Sequence, residues 1–204
     1  GMTDLNAISF DSSPGWALKR EHPSGRDYAR YLDQAALAFD LNVHCNIDVS
    51  GLEPDGDCLV LRTNKGDIRS DYVIWAGGQF GAPSDGGLVG SEHAWHYSKV
   101  PSWKDLPGQE AYVIGGYESG IDAAVGLVKA GKHVTVFDID APWDDGDKDP
   151  SRALSPFTHQ RLRDARQTGM ITLEGREEIV ALEIEEGGVR LLGGNGRSWL
   201  SPHA

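Results

Sequence analysis

The stretch "YVIGGYESGIDAAVGLVKAGKHVTVFD", Tyr112 to Asp138, decides the fold. It reads as a strand, a tight glycine turn, a helix beginning near Glu118, and a second strand ending on the acid Asp138. Strand, turn, helix and strand in this order make a βαβ unit, because parallel strands need a crossover between them. In a dinucleotide-binding turn the first glycine bends the chain, the second admits the pyrophosphate, and the third lets helix and strand pack closely. Gly115 and Gly120 occupy the first and third places, and Tyr117 stands in the second. The Tyr117 side chain must then point away from a bound phosphate, while Gly116 adds backbone freedom beside it. The helix that begins near Glu118 offers N–H groups and a positive dipole end to a diphosphate. Ser119 can add a hydroxyl, and Glu118 is expected to face solvent or cap the helix. Asp138 stands where an acid accepts hydrogen bonds from a ribose diol and repels a 2′-phosphate, which favours NADH over NADPH; Asp140 can share the role. A glycine turn alone is a weak signal, since such units also occur in α/β proteins that bind nothing there. The acid-ended strand strengthens it.

Outward from this unit, the two halves of the chain echo one another. Upstream, "SGRDYARYLDQAALAFD" reads as a helix capped by Ser24. "NVHCNIDVSGL" alternates as a strand, "DCLVLRTNKGDIRS" forms a hairpin around Asn64, Lys65 and Gly66, and "DYVIWAGG" is a buried strand running into Gly77 and Gly78. Downstream, "SPFTHQRLRDARQTG" is a helix that Gly169 can end, followed by three strand-like pieces between Met170 and Gly194. Between the halves, residues 77–108 form a long loop, either a linker or a crossover that faces a cofactor. The expected fold class is α/β, Rossmann-like and three-layered, with two dinucleotide-binding domains. Residues 1–107 form one partial domain and residues 108–204 the other. The first half lacks an opening βαβ unit and the second a closing strand, so the chain reads as a slice incomplete at both ends. Gly1 ahead of Met2 reads as a residue left by tag removal.

With 204 residues, 39% hydrophobic and 25% charged, the chain suits a globular protein with one ordinary core or two small ones. Its 31 acids against 19 bases give a net charge of −12, spread along the chain, which repels nucleic acid. No apolar run approaches the roughly 20 residues that span a bilayer, and no basic-then-apolar leader opens the chain, so a cytoplasmic place is expected. Cys45 and Cys58 are too far apart for a CxxC pair and read as buried, unpaired thiols.

"YVIGGYESGIDAA" and "YVIWAGGQFGAP" together resemble the pyridine nucleotide-disulfide oxidoreductases, in particular the flavin-containing monooxygenase and bacillithiol-disulfide-reductase-like flavoproteins. Gly77, Gly78, Phe80 and Pro83 match the segment that links the two nucleotide domains of that group, with Ala76-Gly77-Gly78 standing for the usual Ala-Thr-Gly. "HYSKV" and "EHPSGRDYARYL" are similar to further segments, and the likeness runs in order along nearly the whole chain. The resemblance implies FAD in one domain and NAD(P)H at Gly115, Gly116, Tyr117, Glu118, Ser119, Gly120 and Asp138 in the other, with hydride passing between them. Gly77 and Gly78 join the cofactor-binding set. Members open with a GxGxxG for FAD that this chain lacks before Ser24, so the polypeptide alone is expected to hold flavin poorly and to lack activity. The residues leave two other readings open: a flavin-dependent monooxygenase relative, and a nucleotide-binding module without catalysis.

No catalytic side chain can be assigned. Glu92, His93 and His96 lack a third ligand at a convincing metal spacing, and "DDGDKD" lacks the order of a calcium loop, so no metal is expected. Ser12 and Ser13 read as turn residues. Trp75 is expected in the core, and Trp95 and Trp103 near a cofactor or an interface. A small-molecule substrate is expected, with neither nucleic acid nor membrane as partner. Uncovered sheet edges point to a homodimer, with elements exchanged between copies.

Overall fold

The computed structural model describes residues 13–19, 23–78, 81–146, 149 and 152–201. They fall into two compact units, Gly1–Ala76 and Gly77–Ala204. Among them no helix is long and apolar enough to cross a membrane.

The first unit holds a short helix α1 (Pro14–Leu18), helix α2 (Gly25–Ala38) and a three-stranded antiparallel sheet in the order β1 (Val49–Asp55), β2 (Cys58–Thr63), β3 (Ile68–Ser70). Ser24 caps α2 as expected, its hydroxyl accepting from the Asp27 N–H at 3.2 Å. Among the described residues of this unit, Tyr31 and Ala35 of α2 and Val60 of β2 are buried, with Pro14 of α1. Three expectations need correction here. Residues 42–48 are irregular and the strand begins only at Val49. Residues 71–78 form no strand, and Trp75 is 82% exposed rather than core. An apolar run makes a buried strand only where neighbours pair with both its edges, and no ladder includes these residues. Cys45 is exposed and Cys58 half-buried; both are free, as expected, but they are not core thiols.

In the second unit a parallel sheet β4 (Glu110–Ile114), β5 (His133–Asp138), β6 (Ile171–Gly175) is crossed by helix α3 (Glu118–Lys129) and helix α4 (Pro156–Gln167). Alternation along the strands builds three layers. Ala111, Val113, Val134 and Val136 meet the helices, in a core with Ile121, Val125 and Leu162. Tyr112 and Phe137 point the other way, into Leu182, Val189 and Leu191 of an antiparallel meander. That meander runs β7 (Ile179–Glu185), β8 (Gly188–Gly193), β9 (Ser198–Ser201). The last strand escapes a sequence reading, because two serines bracket its only apolar pair, yet it pairs with β8 in full register. The α4 helix ends where Gly169 takes φ +70°. Residues 77–107 belong to this unit and carry two short 3₁₀ turns, Ser91–His93 and Tyr97–Lys99.

Candidate functional site

The glycine turn closes β4 and opens α3. Gly115 takes φ +93°, a conformation that side chains resist, with open space where a Cβ would project. Gly120 sits against the turn so closely that a Cβ there would collide with the Gly115 carbonyl, so helix and strand pack as the third glycine of a dinucleotide turn requires. Gly116 has no positive φ; it is needed because a Cβ would run into the Trp143 ring, so its role is space rather than the backbone freedom expected of it. Tyr117 is the N-cap of α3 and makes no side-chain capping bond. Its hydroxyl donates to the Ala153 carbonyl at 3.3 Å, which directs the ring toward that loop. Helix α3 thus begins with backbone N–H groups that no cap side chain covers, a fit for a diphosphate.

Asp138 sits across the turn at the end of β5. One of its oxygens accepts the Gly116 N–H at 2.6 Å, and the other accepts the N–H groups of Asp140 at 2.8 Å and Ala141 at 2.9 Å. Ala141 is held at φ +51°, and the 3₁₀ turn after it, Pro142–Asp144, delivers the buried ring of Trp143 onto Gly116 and Gly175. A sequence reading missed this ring; its one signal is a tryptophan set among acids that leave it no other polar purpose. Of the Asp-rich stretch, residues 147, 148, 150 and 151 lie outside the described residues.

Glu118 neither faces solvent nor caps its own helix. It reaches the start of α4, accepting from the Ser155 N–H and from the hydroxyls of Ser155 and Thr158. An acid is favoured there by the N-terminal dipole of α4, which explains the departure. One turn on, Asp122 accepts from Arg161 of α4 and from the Tyr97 hydroxyl at 3.0 Å. Burial, then the Asp122 carboxylate, push the Tyr97 phenol above its ordinary value. On the far side, the buried Lys132 ammonium donates to the carbonyls of Leu106, Pro107 and Gly108 and ties the incoming loop to the β5 approach.

Beside the free side of β4 runs a cleft of about 750 Å³ within the second unit. Gly115, Tyr117, Ser119, Gly120 and Asp138 line one end, and Trp95, Trp103 and Tyr97 line its wall. Trp103 lies on Gly126 of α3, where any Cβ would strike its ring. Both tryptophans expected near a cofactor or interface therefore border the turn's cleft. Gly77 and Gly78 are exposed and stand apart from its lining, which starts at Pro83; Phe80 lies outside the described residues. His96 caps the second 3₁₀ turn through the Ser98 N–H at 3.2 Å, and no group of three or more metal-ligating side chains gathers among the described residues.

A glycine turn packed onto a parallel sheet, with helices on one face and a meander on the other, defines an α/β unit of the flavoprotein dinucleotide-binding type. A family model described as pyridine nucleotide-disulphide oxidoreductase matches residues 1–204, and the chain belongs to that family. The family is in general dependent on flavin and NAD(P). The ferredoxin–NADP reductase of Lacticaseibacillus paracasei is 32% identical over 123 residues, 56% of this chain and 37% of that protein. An uncharacterized CzcO-like oxidoreductase of Geobacillus kaustophilus is 30% identical over 125 residues, 58% and 36% of the two chains. Among solved structures, the bacillithiol disulfide reductase Bdr (YpdA) of Staphylococcus aureus superposes with a TM-score of 0.68 at 22% identity, over 88% of this chain and 52% of that one. A flavin-containing monooxygenase of Stenotrophomonas maltophilia gives 0.63 at 19%, over 89% and 55%. At these identities the structural likeness is one of fold. The chain matches about half the length of these structures and just over a third of the curated relatives.

Proposed function

We propose that the second unit binds the diphosphate of NAD(P)H at Gly115, Gly116, Tyr117, Glu118, Ser119 and Gly120, and that the whole protein is an FAD-dependent oxidoreductase of the disulfide-reductase type. The observation that carries this reading is the close approach of Gly120 to the Gly115 carbonyl, at a helix start whose N-cap, Tyr117, makes no side-chain capping bond. Nicotinamide and flavin supply the hydride chemistry when bound. The chain's own part is to hold the diphosphate on the first N–H groups of α3 and to wall the cleft with Trp95, Trp103 and Tyr97, which limits water around the bound group. Gly77 and Gly78 belong to the segment that serves the flavin side. NADH is favoured over NADPH, because Asp138 and Asp140 place negative charge where a 2′-phosphate would add more.

The acceptor is a small molecule in the cytoplasm, reached without nucleic acid or membrane; the net charge of −12 supports a partner other than a polyanion. The chain associates as a homodimer with exchanged elements, a reading supported by the exposed Tyr72, Ile74 and Trp75. Static light scattering that stays at one chain mass up to high concentration removes it.

Titration with NADH and NADPH, followed by tryptophan fluorescence and calorimetry, tests the nucleotide reading. The chain should bind NADH more tightly than NADPH. Gly120→Ala should weaken NADH by about tenfold or more, since the turn must shift to admit the methyl group. Equal binding of NADH by the variant would sink the assignment of the turn.

A further inference from the structure

The acid that ends the second strand of a βαβ unit is expected to read the adenosine ribose, but Asp138 is already engaged on both oxygens. A carboxylate offers about four lone-pair positions. Three of these take the N–H groups of Gly116, Asp140 and Ala141, at 2.6, 2.8 and 2.9 Å. One position is left, too few for a ribose diol that presents two hydroxyls side by side. The bonds also have a structural purpose. They hold Ala141 in a left-handed conformation that residues with a Cβ resist, and this bend brings Trp143 onto the face of Gly116. Ring and carboxylate grip the same glycine, one at its α-carbon and one at its N–H.

We propose that Asp138 is a positioning residue: it locks the glycine turn to the 139–143 loop and makes no hydrogen bond to the ribose, so that beyond its charge it acts on the nucleotide through that turn. The proposal rests on the reading of Gly115 to Gly120 as an NAD(P)H site. The Gly116 N–H is spent on the lock, so the diphosphate is received by the N–H groups from Glu118 onward. Discrimination against a 2′-phosphate is then a matter of charge alone.

Two measurements test this. The first needs no nucleotide: amide exchange at Gly116, Asp140 and Ala141 followed by ¹⁵N NMR in the wild type, Asp138→Ala and Asp138→Asn. Loss of the carboxylate should speed exchange at all three amides together by about tenfold, and Asn, which keeps one acceptor oxygen, should restore protection at one side of the lock. Unchanged protection of Gly116 in the alanine variant overturns the lock. The second compares NADH with its 2′-deoxyadenosine counterpart by calorimetry in the wild type and in Asp138→Asn. In the wild type the two should bind within about twofold of each other, because no ribose bond to Asp138 is lost; a weakening of about tenfold or more that Asp138→Asn abolishes identifies Asp138 as a ribose reader and overturns the proposal, and one that persists in the variant belongs to another group and leaves it standing. If the wild type binds neither ligand, the nucleotide reading fails and the positioning role with it, while amide exchange still decides whether the lock exists.

Discussion

The two antiparallel meanders of this chain share a plan and differ in what lies beneath them. β1-β2-β3 follows helix α2 and β7-β8-β9 follows strand β6; each pairs neighbour to neighbour, and each carries a register shift early in its first strand, at Val49/Gly51 and at Ile179/Ala181. In the second, Ile179, Leu182, Val189 and Leu191 are buried against Phe137 and Tyr112 of the parallel sheet. In the first, Val60 is the one strand residue buried among those described, and Leu52 and Ile68 are exposed. Local pattern makes a meander; a second layer makes it part of a core. The difference teaches that apolar alternation reports which face could be buried and says nothing of whether the covering layer is present.

The sharpest way to break this comparison is to remove the floor of the buried meander. Phe137 is fully buried, packs on Trp199 with ring centres 4.7 Å apart and on Tyr112 at 5.7 Å, and bridges sheet and meander. Phe137→Ala should cost about 3–5 kcal/mol, from lost burial and the cavity left behind. Urea unfolding should show the loss, and amide exchange should show β7 and β8 opening more readily. A loss under about 1 kcal/mol would mean that the two meanders are alike in depending little on a supporting layer.

A smaller effect lies in the helix layer, which leaves the Phe137 contacts alone and so separates the two faces of the parallel sheet. The Tyr97 hydroxyl donates to Asp122, and Arg161 joins α4 to the same carboxylate. Tyr97→Phe should cost about 1 kcal/mol at neutral pH. The alkaline limb carries a second signature. With the folded phenol raised above its ordinary 10.0 by burial and then by Asp122, the unfolded chain releases the proton first as pH rises. Stability present below that value falls as pH climbs through the folded one. The variant should lose part of this fall, and Tyr112, raised by burial and by Glu110, should keep the rest. Denaturation at pH 8 and pH 11 checks both parts, and an unaltered pH slope would remove Tyr97 from the account.

The βαβ unit, the Ser24 cap and helices α2 and α4 were legible because each rests on local rules: a glycine turn, a hydroxyl before a helix, a 3.6-residue period. The site was half legible. Gly115 and Gly120 follow from backbone geometry, which the motif encodes. Trp143 on Gly116, Glu118 at the start of α4 and the engaged oxygens of Asp138 arise where distant segments meet, and no spacing rule announces them. The failures share that cause. Trp75 looks like core because its neighbours are apolar, but burial is decided by what packs against a segment. Gly116 looks like a flexible residue, but the Trp143 ring sets its requirement.

The smallest expected effect bears on the comparison most directly. Leu52 in β1 and Leu182 in β7 each occupy the second position after the register shift of their meanders; Leu52 is 51% exposed and Leu182 5% exposed. Both stand in the first strand of their meanders and both oppose a leucine, Leu61 and Leu191 respectively. If shared topology set the worth of these leucines, truncating either would cost the same. If the covering layer sets it, Leu182→Ala should approach the 2–5 kcal/mol of a core position and Leu52→Ala should stay within about 0.5 kcal/mol of the parent. A Leu52→Ala loss above about 2 kcal/mol, read from urea unfolding, would show that the first meander is covered in solution, and that its exposed face belongs to a core as the second meander's does.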